Sequence, residues 1–147
     1  MKDFFANIYE QVLYNSRFDL IYQAMYSDQG YIFIGLMFLL IPLLVMALFY
    51  FERWFPYLKA WHWLFIVAIG LVSVFASTVG IFNSTVLATG DQALANELAN
   101  PNSGYYEHAT TLRYYLGFYN ILLAFLVSLI YSAIFKQFSK LHSHLPI

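Results

Sequence analysis

This chain of 147 residues has no cysteine and few charged side chains. The absence of cysteine excludes disulfides, thiolate metal sites and cysteine nucleophiles. Charged residues make up 10% of the chain and hydrophobic residues 61%, whereas an average soluble domain has about 25% charged residues. The formal net charge of −1 gives no indication of a nucleic-acid partner.

The hydrophobic residues are concentrated in three blocks without a charge, at residues 31–51, 63–82 and 114–135. Each block has the length of about 20 residues that crosses the hydrocarbon core of a bilayer as a helix. Three buried helices of a soluble bundle would need polar faces toward water, and these blocks have almost none. The sequence therefore predicts an all-α integral membrane protein, with residues 1–147 forming one membrane domain of three transmembrane helices.

The connection between the first two blocks, FERWFPYLKAWHW at residues 51–63, mixes aromatic rings with charges. Trp and Tyr favour the membrane–water boundary, where the ring is in an apolar layer and the N–H or O–H group reaches water. Lys and Arg can extend from there to the lipid headgroups. We predict that membrane lipid is a partner and that this turn anchors the chain through Arg53, Trp54, Tyr57, Lys59, Trp61 and Trp63.

Basic residues predict the orientation, because they are more frequent in segments on the cytoplasmic side. Four of them lie in the first turn and in the tail 136–147, as Arg53, Lys59, Lys136 and Lys140. Three spans place these two segments on the same side of the membrane. Residues 1–30 and the loop 83–113, on the other side, carry seven acidic and three basic residues. We therefore expect the N-terminus outside and the C-terminus, with its tail, in the cytoplasm.

Residues 1–30 have the apolar spacing of one or two amphipathic helices on the outer face. Phe4, Phe5, Ile8, Val12 and Leu13 form a first stripe, and Phe18, Ile21, Ala24 and Met25 form a second. Asn15 and Ser16 interrupt the pattern, and Ser16 is a candidate cap of the second helix. Acids outnumber bases here, so packing on protein and lying on lipid both remain open. In the outer loop, residues 91–99 predict a short helix that begins after Asp91.

The sequence offers little catalytic chemistry. The three blocks contain no ionisable residue, although such residues usually mark proton and ion pathways in membranes. Glu107 and His108 could form an acid–base pair, but a solvated loop pair is the favoured interpretation. We predict no catalytic residue, no cofactor and no metal site.

Small residues recur on one side of the second and third spans. They are Gly70, Ser73, Ser77 and Gly80 in the second span, and Gly117, Asn120, Ala124 and Ser128 in the third. Small side chains let a second helix approach closely, and an amide in hydrocarbon needs a hydrogen-bond partner. We predict that both faces are helix contacts. The partner helix can belong to the same chain or to another subunit.

The segment FKQFSKLHSHLPI, residues 135–147, follows the third span. Its Lys136, Phe138, Ser139, Ser143 and Pro146 resemble a pattern in transmembrane subunits of the type VI secretion systems of Bacteroidota. A cysteine of that pattern has no counterpart here. The resemblance implies a bacterial inner-membrane subunit of a contractile injection machine, which anchors a baseplate or a periplasmic module.

Two classes of function agree with these features. The first is a non-enzymatic structural or anchoring subunit of a multi-protein membrane complex, with other subunits of a homo- or hetero-oligomer as partners. The alternative is a small oligomeric channel or transporter that uses Asn120 and hydroxyl side chains as pore lining. An integral membrane enzyme is a third reading, with less support.

Overall fold

A computed structural model describes residues 1–51 and 60–138 of the chain. Within these ranges the protein is helical and contains no β-strand. The helices are α1 (Lys2–Leu13), α2 (Asp19–Ser27), α3 (Gly30–Phe51), α4 (Ala60–Phe82), α5 (Gln92–Ala99) and α6 (Tyr105–Phe138). A short 3₁₀ turn (Ser16–Phe18) precedes α2, and a π-helical turn (Asn83–Leu87) continues α4.

Helices α3, α4 and α6 pack against one another as a three-helix bundle. Three segments are long and apolar enough to cross a membrane, namely Gly30–Tyr50 in α3, Trp61–Leu87 in α4 with the π-helical turn, and Tyr105–Gln137 in α6. These helices agree with the three predicted spans. Helix α6 begins at Tyr105, however, ahead of the predicted span start at residue 114. Arg113 ends the uncharged block and Glu107 lies ahead of it, but neither residue prevents a helix from continuing beyond the hydrocarbon core.

Helix α6 is also longer than a bilayer core requires. Its 34 residues extend for about 50 Å at 1.5 Å per residue, and the hydrocarbon core is about 30 Å thick. One or both of its ends must therefore project beyond the hydrocarbon core of any bilayer that it crosses.

The short helices α1, α2 and α5 cover the end of the bundle where α3 begins and α4 ends, and we call them the cap. Phe5, Ala6 and Tyr9 bury one face of α1. The second predicted stripe, on α2, is buried as a whole. The buried faces of both helices therefore pack on protein, namely on the other helices of the same chain.

The first predicted stripe is only partly right, because Phe4 and Val12 are 62% and 61% exposed. The buried face is instead centred on Phe5 and Tyr9. A pattern of aliphatic and Phe residues does not predict that Tyr9 is buried, because Tyr9 is held inside the bundle by a hydrogen bond of its hydroxyl group. Phe4, Ile8 and Val12, at four-residue spacing, form a second apolar flank of α1.

Side chains near the cap helices account for several helix ends. Asn15, and not the predicted Ser16, caps the 3₁₀ turn by accepting a hydrogen bond from the Arg17 N–H at 3.1 Å. The Asp91 side chain accepts one from the Ala93 N–H at 2.8 Å and caps α5, as the sequence predicts. The only non-glycine residue with a positive φ in the described ranges is Gln29, in the turn between α2 and α3.

Candidate functional site

Asn120 of α6 lies at the centre of a hydrogen-bond network inside the bundle, fully buried. Its Oδ1 accepts a hydrogen bond from the Tyr9 hydroxyl at 2.7 Å. Its Nδ2 donates to the carbonyl of Ile34 at 3.1 Å and to Thr78 Oγ1 at 2.8 Å. The network thus joins α1, α3, α4 and α6 through a single side chain.

The protonation of this network follows from burial. Burial raises the pKa of Tyr9 far above its ordinary value of 10, so the phenol keeps the proton that it donates to Asn120. Thr78 uses its own proton in a bond to the Val74 carbonyl at 2.8 Å and therefore accepts from Asn120. Both N–H groups of the amide are engaged, and no part of it is exposed.

The other small residues of α6 also pack inside the chain. A Cβ atom at Gly117 would lie 2.6 Å from the ring of Phe75, so a larger residue would displace that ring. Ala124 is fully buried, and the buried Ser128 hydroxyl donates to the Ala124 carbonyl of its own helix at 2.8 Å. The face predicted from Gly117, Asn120, Ala124 and Ser128 is therefore a helix contact within this chain.

The predicted stripe of α4 is not a single contact face in this chain. Gly70 is buried, and a Cβ atom there would lie 3.5 Å from Val45 of α3. Ser73 and Ser77 are partly exposed, and the Ser73 hydroxyl donates to the Ile69 carbonyl of its own helix at 2.9 Å. Gly80 is exposed, with no side chain near its Cβ position. Ten residues turn an α-helix through about 80° less than three full turns, so Gly70 and Gly80 lie at opposite edges of the stripe, and the Gly70 edge meets α3.

Ser132 forms a second polar contact toward the other end of the bundle. Its hydroxyl is 2.7 Å from the Tyr50 hydroxyl and accepts a hydrogen bond from the Trp63 indole N–H at 3.1 Å. Both aromatic rings are buried. The contact joins α3, α4 and α6 through one small hydroxyl.

Two of the six predicted membrane anchors lie in the described ranges. Trp61 is 60% exposed, and its role as a membrane anchor stays a prediction. Trp63 is buried and hydrogen-bonded to Ser132, so its polar atom is used inside the bundle. Arg53, Trp54, Tyr57 and Lys59 lie outside the described residues, as does the tail from residue 139 onward.

Sequence reasoning missed four residues of these networks: Tyr9, Tyr50, Thr78 and Ser132. Ser132 continues the four-residue spacing of Asn120, Ala124 and Ser128, so that signal was present in the sequence. Thr78 sits four residues after Val74 on the buried face of α4. Nothing in the sequence distinguishes Tyr9 or Tyr50 from the other tyrosines of the chain.

Two clefts among the described residues open at the cap end of the bundle. The first has a volume of about 380 Å³ and is lined by Arg17, Phe18, Gly104, Glu107, His108 and Thr111. Here the His108 ring stacks on Phe18 at a centroid distance of 4.0 Å, and its Nε2 lies 3.4 Å from the Tyr22 hydroxyl. Glu107 and His108 thus line the same cleft, but the His108 imidazole is paired with the Tyr22 hydroxyl.

The second cleft lies between α1 and α2 and has a volume of about 340 Å³. It is lined by Glu10, Tyr14, Asp19, Tyr22, Gln23 and Tyr26. Burial raises the pKa of Tyr22 to about 12, and its hydroxyl donates to the Leu13 carbonyl at 2.5 Å. Among the described residues, no three His, Asp or Glu side chains are grouped closely enough to hold a metal ion.

Arg113 of α6 sits near the π-helical turn at the cap end of the bundle. Its guanidinium donates to Asn83 Oδ1 at 3.3 Å and to the Tyr114 hydroxyl at 2.9 Å, and lies 4.6 Å from the centre of the Tyr114 ring. These contacts tie the π-helical turn to α6.

Comparison of the chain with protein-family models, with curated proteins and with solved structures finds no match.

Proposed function

We propose that this chain is a non-enzymatic anchoring subunit of a multi-protein membrane complex. The observation that carries the proposal is the Asn120 network, which joins α1 of the cap to all three helices of the bundle. A cap held in this way keeps one orientation relative to the membrane-spanning helices. A subunit that positions a partner at a membrane needs such a fixed surface.

The outward surface of the cap supports this function. The side of the chain that carries the cap has seven acidic and three basic residues, so it presents negative charge. Tyr14, Tyr26 and Tyr106 are among its exposed aromatic side chains. Tyrosine is enriched at protein interfaces, where its ring contributes contact area and its hydroxyl a hydrogen bond. With the C-terminus in the cytoplasm, the cap and its partner lie on the opposite, outer side of the membrane.

The contacts of Asn120 favour an anchor over the alternative of an oligomeric channel. A channel would use Asn120 and neighbouring hydroxyl groups to line its pore. The Asn120 amide is engaged within the chain through both its oxygen and its nitrogen. Exposing it to a pore would break bonds to three other helices.

The C-terminal segment suggests which complex is involved. Lys136, Phe138, Ser139, Ser143 and Pro146 resemble type VI secretion subunits of Bacteroidota. On that basis we propose the bacterial inner membrane as the location and a contractile injection machine as the complex.

Purification from native membranes in a mild detergent tests the proposal. A tag after Ile147 leaves the cap free, and blue-native electrophoresis with mass spectrometry identifies what remains bound. We expect one discrete species larger than the chain that contains a second, reproducible protein. A species that contains only this chain and conducts ions in planar bilayers would support the channel instead.

A further inference from the structure

The cleft between α1 and α2 is built by two helices fixed to each other. At one end the Tyr26 hydroxyl donates to Asp3 Oδ1 at 2.6 Å, and the Lys2 ammonium donates to the Ser27 carbonyl at 3.5 Å. At the other end the Tyr22 hydroxyl of α2 donates to the Leu13 carbonyl of α1. The walls of the cleft are therefore held in place without a ligand.

Three tyrosine rings form the apolar part of these walls. Tyr14 and Tyr22 are in contact, with ring centroids 5.0 Å apart and planes inclined by 57°. Tyr14 and Tyr26 are 48% and 40% exposed, so a ligand can reach them. The Tyr14 hydroxyl donates to Asp19 Oδ1 at 3.0 Å, which raises the pKa of Tyr14 and keeps the phenol neutral. With their hydroxyl protons used, the rings offer a ligand mainly their π faces.

Two carboxylates give the cleft its charge. Glu10 lines it from α1 and Asp19 from α2. Neither makes an ion pair with a residue in the described part of the chain. Asp19 accepts hydrogen bonds from Tyr14 and Gln23, which orient its carboxylate but leave its negative charge in place.

One cation–π contact is already present at the rim of the cleft. The Lys2 ammonium lies 4.7 Å from the centre of the Tyr26 ring. That distance is within the range of about 6 Å over which a cation is attracted to an aromatic face. Neutral aromatic faces combined with nearby carboxylates attract organic cations.

We propose that the α1–α2 cleft binds an alkylammonium group. Its volume is at the lower end of the range of about 300–1,000 Å³ for ligand pockets, so it admits one compact group. The carboxylates of Glu10 and Asp19 supply the charge, and the exposed rings of Tyr14 and Tyr26 contact the carbon atoms next to the nitrogen. A small free amine and the side chain of a lysine in another protein share this chemistry.

The test uses the full chain in detergent micelles with 3-fluorotyrosine in place of tyrosine. Tyr14→Phe and Tyr26→Phe variants assign their ¹⁹F resonances, and the exposed Tyr115 is the internal reference. Butylammonium chloride is titrated against sodium chloride at constant ionic strength. We expect saturable shifts at Tyr14 and Tyr26 and none at Tyr115. Butanol, of similar shape but without charge, should leave all three resonances unchanged.

Matched variants separate the cleft from general charge effects. Glu10→Gln with Asp19→Asn removes both carboxylate charges with little change of shape, and should weaken butylammonium binding about tenfold. Asp28→Asn with Glu107→Gln removes the same charge elsewhere at the cap end of the bundle and should leave binding unchanged. Equal weakening by both pairs, or shifts that do not saturate, would overturn the proposal. Circular dichroism confirms that each variant is folded.

A second titration distinguishes the two sources of the ammonium group. The probe is the tripeptide Ala-Lys-Ala with blocked ends, and its acetyllysine form is the control. Saturable shifts with the lysine peptide show that the cleft admits a protein side chain, while shifts with butylammonium alone restrict it to free amines. The absence of saturable shifts with both cations contradicts an ammonium site. None of these outcomes depends on whether the chain belongs to a larger complex.

Discussion

At the scale of single residues, polar side chains fix the helices of this bundle to one another. Apolar helices in lipid gain little from the hydrophobic effect on association, so packing and hydrogen bonds determine their arrangement. Asn120 and Ser132 each bond to side chains or carbonyls on other helices. The two residues lie twelve positions apart on α6 and connect its neighbours at two levels along the bundle.

A double-mutant cycle measures the bond between Tyr9 and Asn120. Tyr9→Phe removes one hydroxyl, and Asn120→Leu removes the amide with all three of its bonds. We expect Asn120→Leu to lower the free energy of unfolding by about 2–3 kcal/mol. The Tyr9→Phe effect should be largely absent in the Asn120→Leu background, because both changes break the same bond. Unfolding by SDS in mixed micelles, followed by circular dichroism, gives the four values.

Tyr115→Phe is the matched control for that cycle, since Tyr115 is exposed on the same helix as Asn120. Its effect should be near zero and additive with Asn120→Leu. Full additivity of Tyr9→Phe with Asn120→Leu would mean that the two side chains are not bonded in the membrane.

The second polar contact predicts a difference between two serines on one face of α6. Ser132 bonds to Tyr50 and Trp63 on other helices, whereas Ser128 bonds only to a carbonyl of its own helix. Ser132→Ala should therefore cost about 1 kcal/mol more than Ser128→Ala in the same unfolding assay. Ser132→Ala should also change the fluorescence of Trp63. Equal costs for the two variants would show that the contact between helices contributes nothing.

At the scale of helices, the close approach of α1 to α3 depends on one missing side chain. A Cβ atom at Gly35 would overlap the ring of Phe5, which sits directly on this glycine. The Phe5 ring also meets Phe38 edge to face, with centroids 6.2 Å apart. The absence of a side chain at Gly35 thus lets α1 pack closely against α3.

Gly35→Val should detach α1 while the bundle stays folded. Its side chain occupies the space of the Phe5 ring, so α1 must move away and lose its buried face. Hydrogen exchange followed by mass spectrometry should show faster exchange in residues 2–13 and unchanged exchange in α6. Gly80→Ala is the control, because no atom lies within 4 Å of its Cβ position. Unchanged exchange in residues 2–13 of Gly35→Val would refute this seating of α1.

The helices themselves follow largely from the sequence, and the reasons are physical. Uncharged blocks of about 20 residues predict the three long helices, because a bilayer core requires that length. Asp91 predicts the beginning of α5 because its side chain accepts from a free N–H of the first turn. The extension of α6 to Tyr105 was not predicted, since a block defined by lack of charge ends at Arg113.

The contacts between helices were less predictable than the helices. The small residues of α6 indicated a contact face, but their spacing does not say whether the other helix belongs to this chain. Tyr9 is distant from Asn120 in the sequence, and no local pattern pairs them. The cleft between α1 and α2 depends in the same way on how two short helices turn toward each other. Such pairings depend on the fold as a whole.

At the scale of the whole molecule, the proposed topology has the cap outside and the C-terminal tail in the cytoplasm. Because the chain has no cysteine, one introduced cysteine is its only thiol. Gln92→Cys on α5 should react with a membrane-impermeant maleimide in intact cells, whereas Ser143→Cys in the tail should react only after permeabilisation. The opposite pattern would reverse the topology and place the cap in the cytoplasm.

The proposed role of the cap, to hold a partner protein at the membrane, can be tested by photo-crosslinking in native membranes. Benzoylphenylalanine replaces Gln11 on α1 or Tyr106 on α6, both exposed at the cap end, and replaces the exposed Leu122 within the span as a control. We predict that both cap positions give a product of the same added mass, containing one second protein, and that Leu122 gives none. No protein product from either cap position, or an equal product from Leu122, would contradict the claim.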